Sequence, residues 1–383
     1  MTCDVLCFSE TPWTDPRTRA HELMLRAADE RMVFVWEPAV FHDLGSAARL
    51  DLTVVTETLV IATPRLSRRL DRAAAREAEK DLLHELVTRH SIEAPLVWLD
   101  GPRALALDLE VEPSFVVYDC TAPAGTASAT AIELHILERA DAVVTDSHAL
   151  AERLRPLHSR VSLVPSSVDE AHFGRARHRN LLDPADQAEI RGPRIGYMGP
   201  LDRKIDVELL EAIAAARADW QIVTVGAVDD AFSFLPRTNV HHLGARAHAL
   251  LPAYLAGWDV ALLPHAVPVC IPGAPSMTLP YFAAGRPVVA TPHPELVRAF
   301  GELEILRFAA TTDSVILQIE RALHDDRGPR QRRADDLLAR TSWGMTWRTI
   351  TNEIELIMRP QRRVSGTVLK HDLSKSEARA EAK

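Results

Sequence analysis

The stretch PRIGYMGPLDRKID, residues 193–206, opens the most regular part of the chain and decides the fold class. This stretch predicts a short apolar strand over 194–198, a turn with Gly199, and then a helix from Val207. Strand, glycine turn and helix in this order form the repeating unit of a parallel α/β sheet. The same alternation continues to the end of this half and also fills the first half. The sequence therefore predicts an α/β fold with two doubly wound Rossmann-like domains that face a cleft.

The pattern also predicts where the domains end. A total of 383 residues suits two domains of ordinary size. Between the two regular halves the segment GRARHRNLLDPADQAEIRGP is charged and has no apolar period, which is typical of a connector. The predicted parts are an N-terminal domain over 1–175, a connector over 176–193, a C-terminal domain over 194–341, a closing helix across the domain junction over 342–359, and a disordered tail over 360–383.

Composition limits the classes of function. Hydrophobic residues make up 47% and charged residues 25% of the chain, which is an ordinary globular balance. The net charge of −9 supplies no basic field for nucleic acid. The four cysteines are scattered, the N-terminus does not resemble a signal peptide, and no run of 18 apolar residues occurs. We expect a cytoplasmic protein, attached at most to the inner face of a membrane.

The turn after the strand at 194–198 is the first candidate site. Gly199 allows the backbone to approach a ligand closely, and Arg203 and Lys204 stand just before the next helix. Cations beside a helix N-terminus suit a diphosphate. A tight turn with two solvated cations explains the same residues, so both interpretations stay open.

The loop CIPGAPSMTLPYFAAG is the second candidate. A rigid Pro/Gly loop containing Gly273 leads into a helix that we predict to begin near Ser276, so unpaired backbone N–H groups would face the enclosed ligand. Ser276 and Thr278 add hydroxyl groups. A capped helix in a tight α/β unit accounts for the segment AAG, but it does not account for so rigid a loop.

The third candidate lies at two strand ends of the first half. Asp119 follows the strand in VVYD, and Ser166 and Ser167 follow the strand in LVPSS. Ligands bind at the carboxyl ends of strands in such sheets, although an Asp here is as often a helix cap. No H-E-x-x-H, His/Asp cluster, P-loop, G-x-S-x-G or Asp-x-Asp pattern is present, so we expect no metal and no cofactor.

Several long segments, in order, resemble the glycosyltransferase family-four-like proteins of the GT-B fold, particularly the branch near teichuronic-acid biosynthesis enzymes. The resemblance covers nearly the whole chain up to residue 358. It is carried by DVLCFSETPW, VFVWEP, ERADAVVTDSHALAERL, LVPSSVDEAHF, PRIGYMGPLDRKID, NVHHLGARAHALLPAYLAGWDVALLP, AAGRPVVATP and SWGMTWRTI.

The resemblance implies a nucleotide-diphosphate sugar as donor, with Lys204 as the diphosphate cation and Gly199 and Thr278 at matching positions. The chain departs from the family where a Lys and a Glu normally open the helix after the Pro/Gly loop. These positions hold Met277 and Pro280. We expect Pro280 to fall in the first turn of that helix, where a missing N–H does little harm.

Three hypotheses follow. The first is a sugar transferase acting on a cell-envelope or exopolysaccharide acceptor, carbohydrate or lipid-linked, in which Lys204, Arg203 and the helix end at Ser276 stabilise the departing diphosphate. Asp119 would act in catalysis and, with His21, contact the acceptor, and Ser166 would bind the donor. The second is a non-catalytic relative that serves as scaffold or regulator of a partner glycosyltransferase. The third is an enzyme that uses another phosphorylated donor.

Overall fold

The structure is a computed structural model that describes residues 3–13, 17–43, 47–101, 112–123, 127–178, 180–229, 237–267 and 273–358. The predicted tail over 360–383 lies outside these residues, and so does most of the Pro/Gly loop before Gly273. Within the described residues no helix is both long enough and apolar enough to cross a membrane.

The first domain is built on a mostly parallel sheet with strand order β3-β5-β2-β1-β6-β7-β8-β9, and β4 pairs with β5 off this path. The strands are β1 Val5–Phe8, β2 Val33–Trp36, β3 Val40–His42, β4 Arg49–Thr56, β5 Leu59–Ser67, β6 Leu96–Leu99, β7 Phe115–Asp119, β8 Ala142–Thr145 and β9 Val161–Leu163. The helices are α1 Arg19–Ala28, α2 Arg72–His90, α3 Ala127–Arg139 and α4 His148–Leu154. Residues in the central strands are buried on both faces, as helices on both sides of a parallel sheet require.

The second domain has a wholly parallel sheet in the described residues, with order β12-β11-β10-β13-β14-β15. Its strands are β10 Arg194–Met198, β11 Gln221–Val225, β12 Val240–His242, β13 Val260–Leu263, β14 Val288–Ala290 and β15 Arg307–Phe308. Its helices are α7 Val207–Ala216, α8 Leu251–Ala256, α9 Ala274–Ala283, α10 Pro294–Phe300, α11 Thr312–His324 and α12 Gly328–Leu338. The prediction of two doubly wound α/β domains is confirmed.

One pair of strands differs from the predicted parallel arrangement. β4 and β5 form an antiparallel hairpin, in which Leu52 pairs with Ala62 and Val54 with Val60. The two runs are separated by only the short turn at Glu57–Thr58, and a parallel pair needs a much longer crossover. The hairpin places β4 at the outer edge, where Val54 is 69% exposed.

The segment predicted as a connector, 176–193, contains the short helix α6 Ala185–Ala188, and α5 Glu170–Gly174 lies just before it. Phe173, Ala176 and Ile190 are buried in the same apolar cluster as the core of the second domain. Gln187 is fully buried, donates to the carbonyl of Tyr254 and accepts from the indole N–H of Trp258. This segment therefore packs against the second domain, because a few apolar side chains lie among its charged residues.

The last helix, α13 Trp343–Met358, returns to the first domain. Trp343, Trp347, Ile350 and Ile354 are buried in the cluster that covers one face of the first sheet. The Thr346 hydroxyl lies 2.7 Å from the hydroxyl of Ser167, beside the strand end of β9.

A second contact joins the domains directly. The carboxylate of Glu295, at the start of α10, accepts the backbone N–H groups of His148 (3.0 Å) and Ala149 (2.8 Å) at the start of α4. Glu295 is only 4% exposed. Nearby, Arg298 of α10 forms an ion pair with Glu152 of α4 at 2.8 Å. We call this contact the α4–α10 clasp; it holds the two domains on either side of the cleft.

Candidate functional site

A cavity of about 870 Å³ lies between the two domains, at the carboxyl ends of both sheets. This is where an open parallel sheet binds its ligands. Its wall on the first-domain side is mainly charged or polar, and includes Glu10, Arg17, Arg19, Glu22, Asp100, Asp119, Asp146, Ser166, Ser167 and Asp169. Its wall on the second-domain side includes Met198, Gly199, Pro200, Val225, Gly226, Ala227, Arg246, His248, Leu251, Gly273, Ser276, Met277 and Pro280.

The first-domain wall is held by a buried network centred on Arg19, the first residue of α1. Its Nε donates to both carboxylate oxygens of Asp119, each at 3.1 Å, and its Nη1 donates to the Ser166 hydroxyl at 2.9 Å. That hydroxyl donates to Asp146 Oδ2 at 2.6 Å. The residues follow β7, β8 and β9, so strand ends bring together groups distant in the chain.

Burial sets the protonation of two carboxyl groups in this wall. Burial raises the pKa of Asp119 to about 6; the Arg19 cation opposes this shift, and the nearby Asp146 charge adds to it. Burial and the neighbouring Asp119 raise the pKa of Asp100 to about 8. At neutral pH, Asp100 is therefore mostly protonated and Asp119 mostly ionised beside its arginine.

The second-domain wall is shaped by closely packed backbone. A β-carbon at Gly226 would lie 1.8 Å from the carbonyl oxygen of Gly199, so the turns after β10 and β11 touch directly. Gly199 has a φ of 152°, which side chains rarely adopt. The hydroxyl of Tyr281 on α9 is hydrogen-bonded to both the N–H and the carbonyl of Met198. These contacts fix Gly199 at the cavity wall.

The helix after the Pro/Gly loop begins earlier than predicted. α9 starts at Ala274, with Gly273 as N-cap in a left-handed conformation, φ 75°. Ser276 is the third residue of the helix and donates its hydroxyl to the Gly273 carbonyl at 2.7 Å. Pro280 is therefore inside the helix and not in its first turn, so the Ser276 carbonyl lacks its usual backbone donor.

Thr278 lies away from the predicted position on the cavity. It is fully buried, and its hydroxyl donates to the carbonyl of Ala274 at 3.0 Å, one turn earlier in α9. Met277 and Pro280 do line the cavity. The apolar side chains that replace the family's Lys and Glu therefore face the cavity from the second domain.

Arg203 and Lys204 are exposed and are not part of the cavity wall. The Lys204 carbonyl accepts the N–H of Ala266 at 2.8 Å, which places the residue beside the segment leading into 268–272. Burial, together with the charges of His293 and Lys204, lowers the pKa of His265 in that segment to about 4. The two predicted cations thus lie outside the cavity wall that contains Ser276.

His21 does not reach the cavity. It is 1% exposed, its ring packs 4.5 Å from that of Trp13, and its Nδ1 accepts the Thr18 N–H at 3.3 Å as part of a capping box. Its role in the structure is to start α1. This placement removes the physical basis for a direct acceptor contact by His21.

Sequence reasoning missed several wall residues, among them Arg19, Asp100 and Asp146. Asp146 follows β8 and Asp100 follows β6 directly, so the strand-end rule that selected Asp119 would also have selected them. Arg246, after β12, supplies a cation on the second-domain wall, although it is also bound to Asp186 at 2.6 Å. In the described part of the chain, no group of three or more His, Cys, Asp or Glu residues could hold a metal ion.

Comparisons with known proteins agree with this geometry. Residues 192–325 match the model of the family described as "Glycosyl transferases group 1". The "Putative teichuronic acid biosynthesis glycosyltransferase TuaH" of Bacillus subtilis (strain 168) is 27% identical over 172 residues. That match covers 42% of this chain and 42% of the relative, so it spans less than half of either protein.

Solved structures match over almost the whole length. The E. coli structure described as "Trehalose-6-phosphate from E. coli bound with UDP-2-fluoro glucose" has a TM-score of 0.67 at 13% identity, covering 93% of this chain and 99% of that one. Sucrose-phosphate synthase from Thermosynechococcus elongatus gives 0.66 at 16% identity, with the same coverage. WaaG, a glycosyltransferase involved in lipopolysaccharide biosynthesis, gives 0.61 at 12%, covering 91% and 98%. At these identities the likeness establishes the fold. The second domain of this chain is therefore similar to the glycosyl transferases group 1 family, and the two domains together have the GT-B fold.

Proposed function

We propose that the protein is a glycosyltransferase that moves a sugar from a nucleotide-diphosphate donor to a carbohydrate or lipid-linked acceptor of the cell envelope or an exopolysaccharide. The observation that carries this proposal is the cavity of about 870 Å³ on which the N-terminus of α9 opens. The group 1 match over residues 192–325 supports a sugar-nucleotide donor, and the relative named for teichuronic acid biosynthesis supports an envelope acceptor.

In this proposal the donor lies on the second-domain wall. The diphosphate meets the unpaired N–H groups at the start of α9, where Gly273 provides no side chain and Ser276 adds a hydroxyl. Gly199 lets the backbone approach the phosphates, and Arg203 and Lys204 add positive charge from the turn between β10 and α7. Leaving-group charge is stabilised by these groups, and transfer proceeds without a metal ion or another cofactor.

The acceptor lies on the first-domain wall. Asp119 and Ser166 are held rigidly by Arg19 and can hydrogen-bond sugar hydroxyls. An ionised Asp119 beside a protonated Asp100 offers both an acceptor and a donor of hydrogen bonds. Rigid placement matters because a sugar hydroxyl must approach the donor carbon with correct geometry.

The test is calorimetric titration of the protein with UDP, GDP, ADP and TDP. We expect micromolar binding of one nucleotide, and loss of about tenfold or more in affinity in Lys204→Ala, since a charged hydrogen bond contributes about 1.5–3 kcal/mol. Lys80→Ala, on α2 outside the cavity, is the matched control and should bind like the wild type. Absence of binding to every nucleotide at millimolar concentration would overturn the donor assignment.

A second candidate function is a non-catalytic relative that acts as scaffold or regulator of a partner glycosyltransferase. It is favoured by one observation: Met277 and Pro280 stand on the donor wall where the resembling family has a Lys and a Glu. In that case the nucleotides would not bind, while the fold and the clasp between the domains would be retained.

A further inference from the structure

The first domain places a carboxylate at the start of the second domain's α9. A β-carbon at Gly273, the N-cap of α9, would lie 3.7 Å from Oδ2 of Asp146. Asp146 follows β8 in the other domain, so this approach crosses the cleft. α9 has ten residues, and no side chain within the helix or at its N-cap caps it. A carboxylate is the kind of group that a helix N-terminus attracts.

Among the described residues, only one of the two carboxylate oxygens of Asp146 has a hydrogen-bond partner. Its Oδ2 accepts the Ser166 hydroxyl at 2.6 Å, while its Oδ1 is buried without a hydrogen-bond partner among the described residues. Ser166 in turn accepts from Arg19 Nη1 at 2.9 Å. The Arg19 side chain is only 6% exposed, and its Nη2 has no partner in the described part of the chain. A buried polar atom left unpaired is unfavourable, so both atoms favour a state in which they find a partner.

The positions of these groups create a conflict for an anionic ligand. A donor diphosphate at the α9 N-terminus would be placed beside the Asp146 carboxylate, and two neighbouring negative charges repel strongly in a partly buried site. The same helix end lacks the cation that a Lys at Met277 would supply. The carboxylate would then oppose the diphosphate without a compensating charge on α9.

We propose that Asp146 controls the affinity of the donor site: its carboxylate lies beside the N-terminus of α9 and lowers the affinity for a nucleoside diphosphate. The proposal rests on the function proposed above, since it places the donor phosphates at α9. When the diphosphate binds, the Asp146 carboxylate turns from α9 towards Arg19. The unpartnered Oδ1 and Nη2 then pair, and Ser166, already bonded to both residues, guides this movement.

The experiment compares the affinity of UDP, GDP, ADP and TDP for the wild type, Asp146→Asn and Glu10→Gln by calorimetry. Asparagine keeps the shape of Asp146 and can still accept the Ser166 hydroxyl. We expect Asp146→Asn to bind the preferred nucleotide about tenfold more tightly than the wild type. Glu10→Gln removes the same charge from the cavity wall, but at a side chain that packs against Gly101 and not against α9, so its effect should be much smaller.

The salt dependence of nucleotide affinity distinguishes charge repulsion from a purely structural effect of the substitution. Repulsion is screened by ions, so the ratio of the two affinities should fall towards one between 50 mM and 500 mM salt. Equal or weaker binding by Asp146→Asn overturns the proposal, while wild-type binding leaves the proposed function standing. If neither protein binds any nucleotide, both proposals fail.

Discussion

The two walls of the cavity differ in the chemical groups that they present to a ligand. The first-domain wall carries six carboxyl groups and two arginines among its described residues, and its central members are tied to one another by hydrogen bonds across 147 residues of sequence. The second-domain wall consists largely of glycine backbone, Met277, Pro280 and small apolar residues, with Arg246 and His248 at its edge. One wall offers fixed side-chain chemistry, and the other offers shape and a helix end.

This difference indicates which wall selects its ligand more strictly. A wall of backbone and apolar groups can fit a donor, but it gives little charge to hold a diphosphate. The polar wall can discriminate among hydroxyl patterns because its groups are fixed before a ligand arrives. We therefore expect the chain to be more exacting towards what binds the first domain than towards its nucleotide.

The largest effect is expected from breaking the polar wall at Arg19. Arg19→Met leaves Asp119, which has no exposed surface, without its partner, and losing one member of a buried pair costs about 3 kcal/mol or more. The loss should be smaller at pH 5 than at pH 8, because Asp119 becomes protonated below its pKa of about 6. Urea unfolding at both pH values measures this. The double variant Arg19→Met/Asp119→Asn should recover much of the loss, and equal stability of Arg19→Met and wild type at pH 8 would contradict the prediction.

The second-domain wall can be disrupted at Gly226. Gly226→Ala forces a β-carbon against the Gly199 carbonyl oxygen, and overpacking of this kind costs about 1–3 kcal/mol. Nucleotide binding should weaken with it, since the two turns must separate. Gly344→Ala is the matched control: no atom lies within 4 Å of its added carbon, and it lies in α13, so stability should stay equal or rise by up to about 1 kcal/mol. Thermal melts of the two variants test this; comparable losses would refute it.

The contrast between the walls can be reduced by Met277→Lys. This change adds a cation to the second-domain wall, and a charged hydrogen bond to phosphate contributes about 1.5–3 kcal/mol, so nucleotide affinity should rise tenfold or more. Met345→Lys adds the same charge on α13, outside the cavity wall, and should leave affinity unchanged. An equal gain in both variants would show a general charge effect and would not support a local site.

The smallest expected effect concerns the protonated carboxyl of the polar wall. The folded-state pKa of Asp100, about 8, is above its unfolded value, so its contribution to stability is present at low pH and is lost as pH rises towards 8. Asp100→Asn does not titrate. Its free energy of unfolding relative to wild type should therefore rise by at least about 1 kcal/mol between pH 5 and pH 8. A difference that does not change with pH would show that Asp100 titrates normally.

The elements could be predicted from sequence where one chemical signal dominated. Short apolar runs predicted the buried parallel strands, and the strand over 194–198 and the helix start at Val207 have their predicted bounds. α9 was predicted to begin too late because Pro275 and Ser276 both suit a helix start, while the conformation of Gly273 fixed the true one. The Arg19–Asp119 pair could not be predicted, because its partners are 100 residues apart and meet only through the sheet order.

The α4–α10 clasp has a consequence for how the cleft opens. Separating α4 from α10 breaks both hydrogen bonds of the buried Glu295 carboxylate at the same moment. Partial opening at this contact therefore costs nearly as much free energy as full opening, and no new contact offsets the loss. Opening should therefore be an all-or-none event. The amide protons of His148 and Ala149 would exchange with solvent only during that event, and their common exchange rate would measure how often the closed cleft opens.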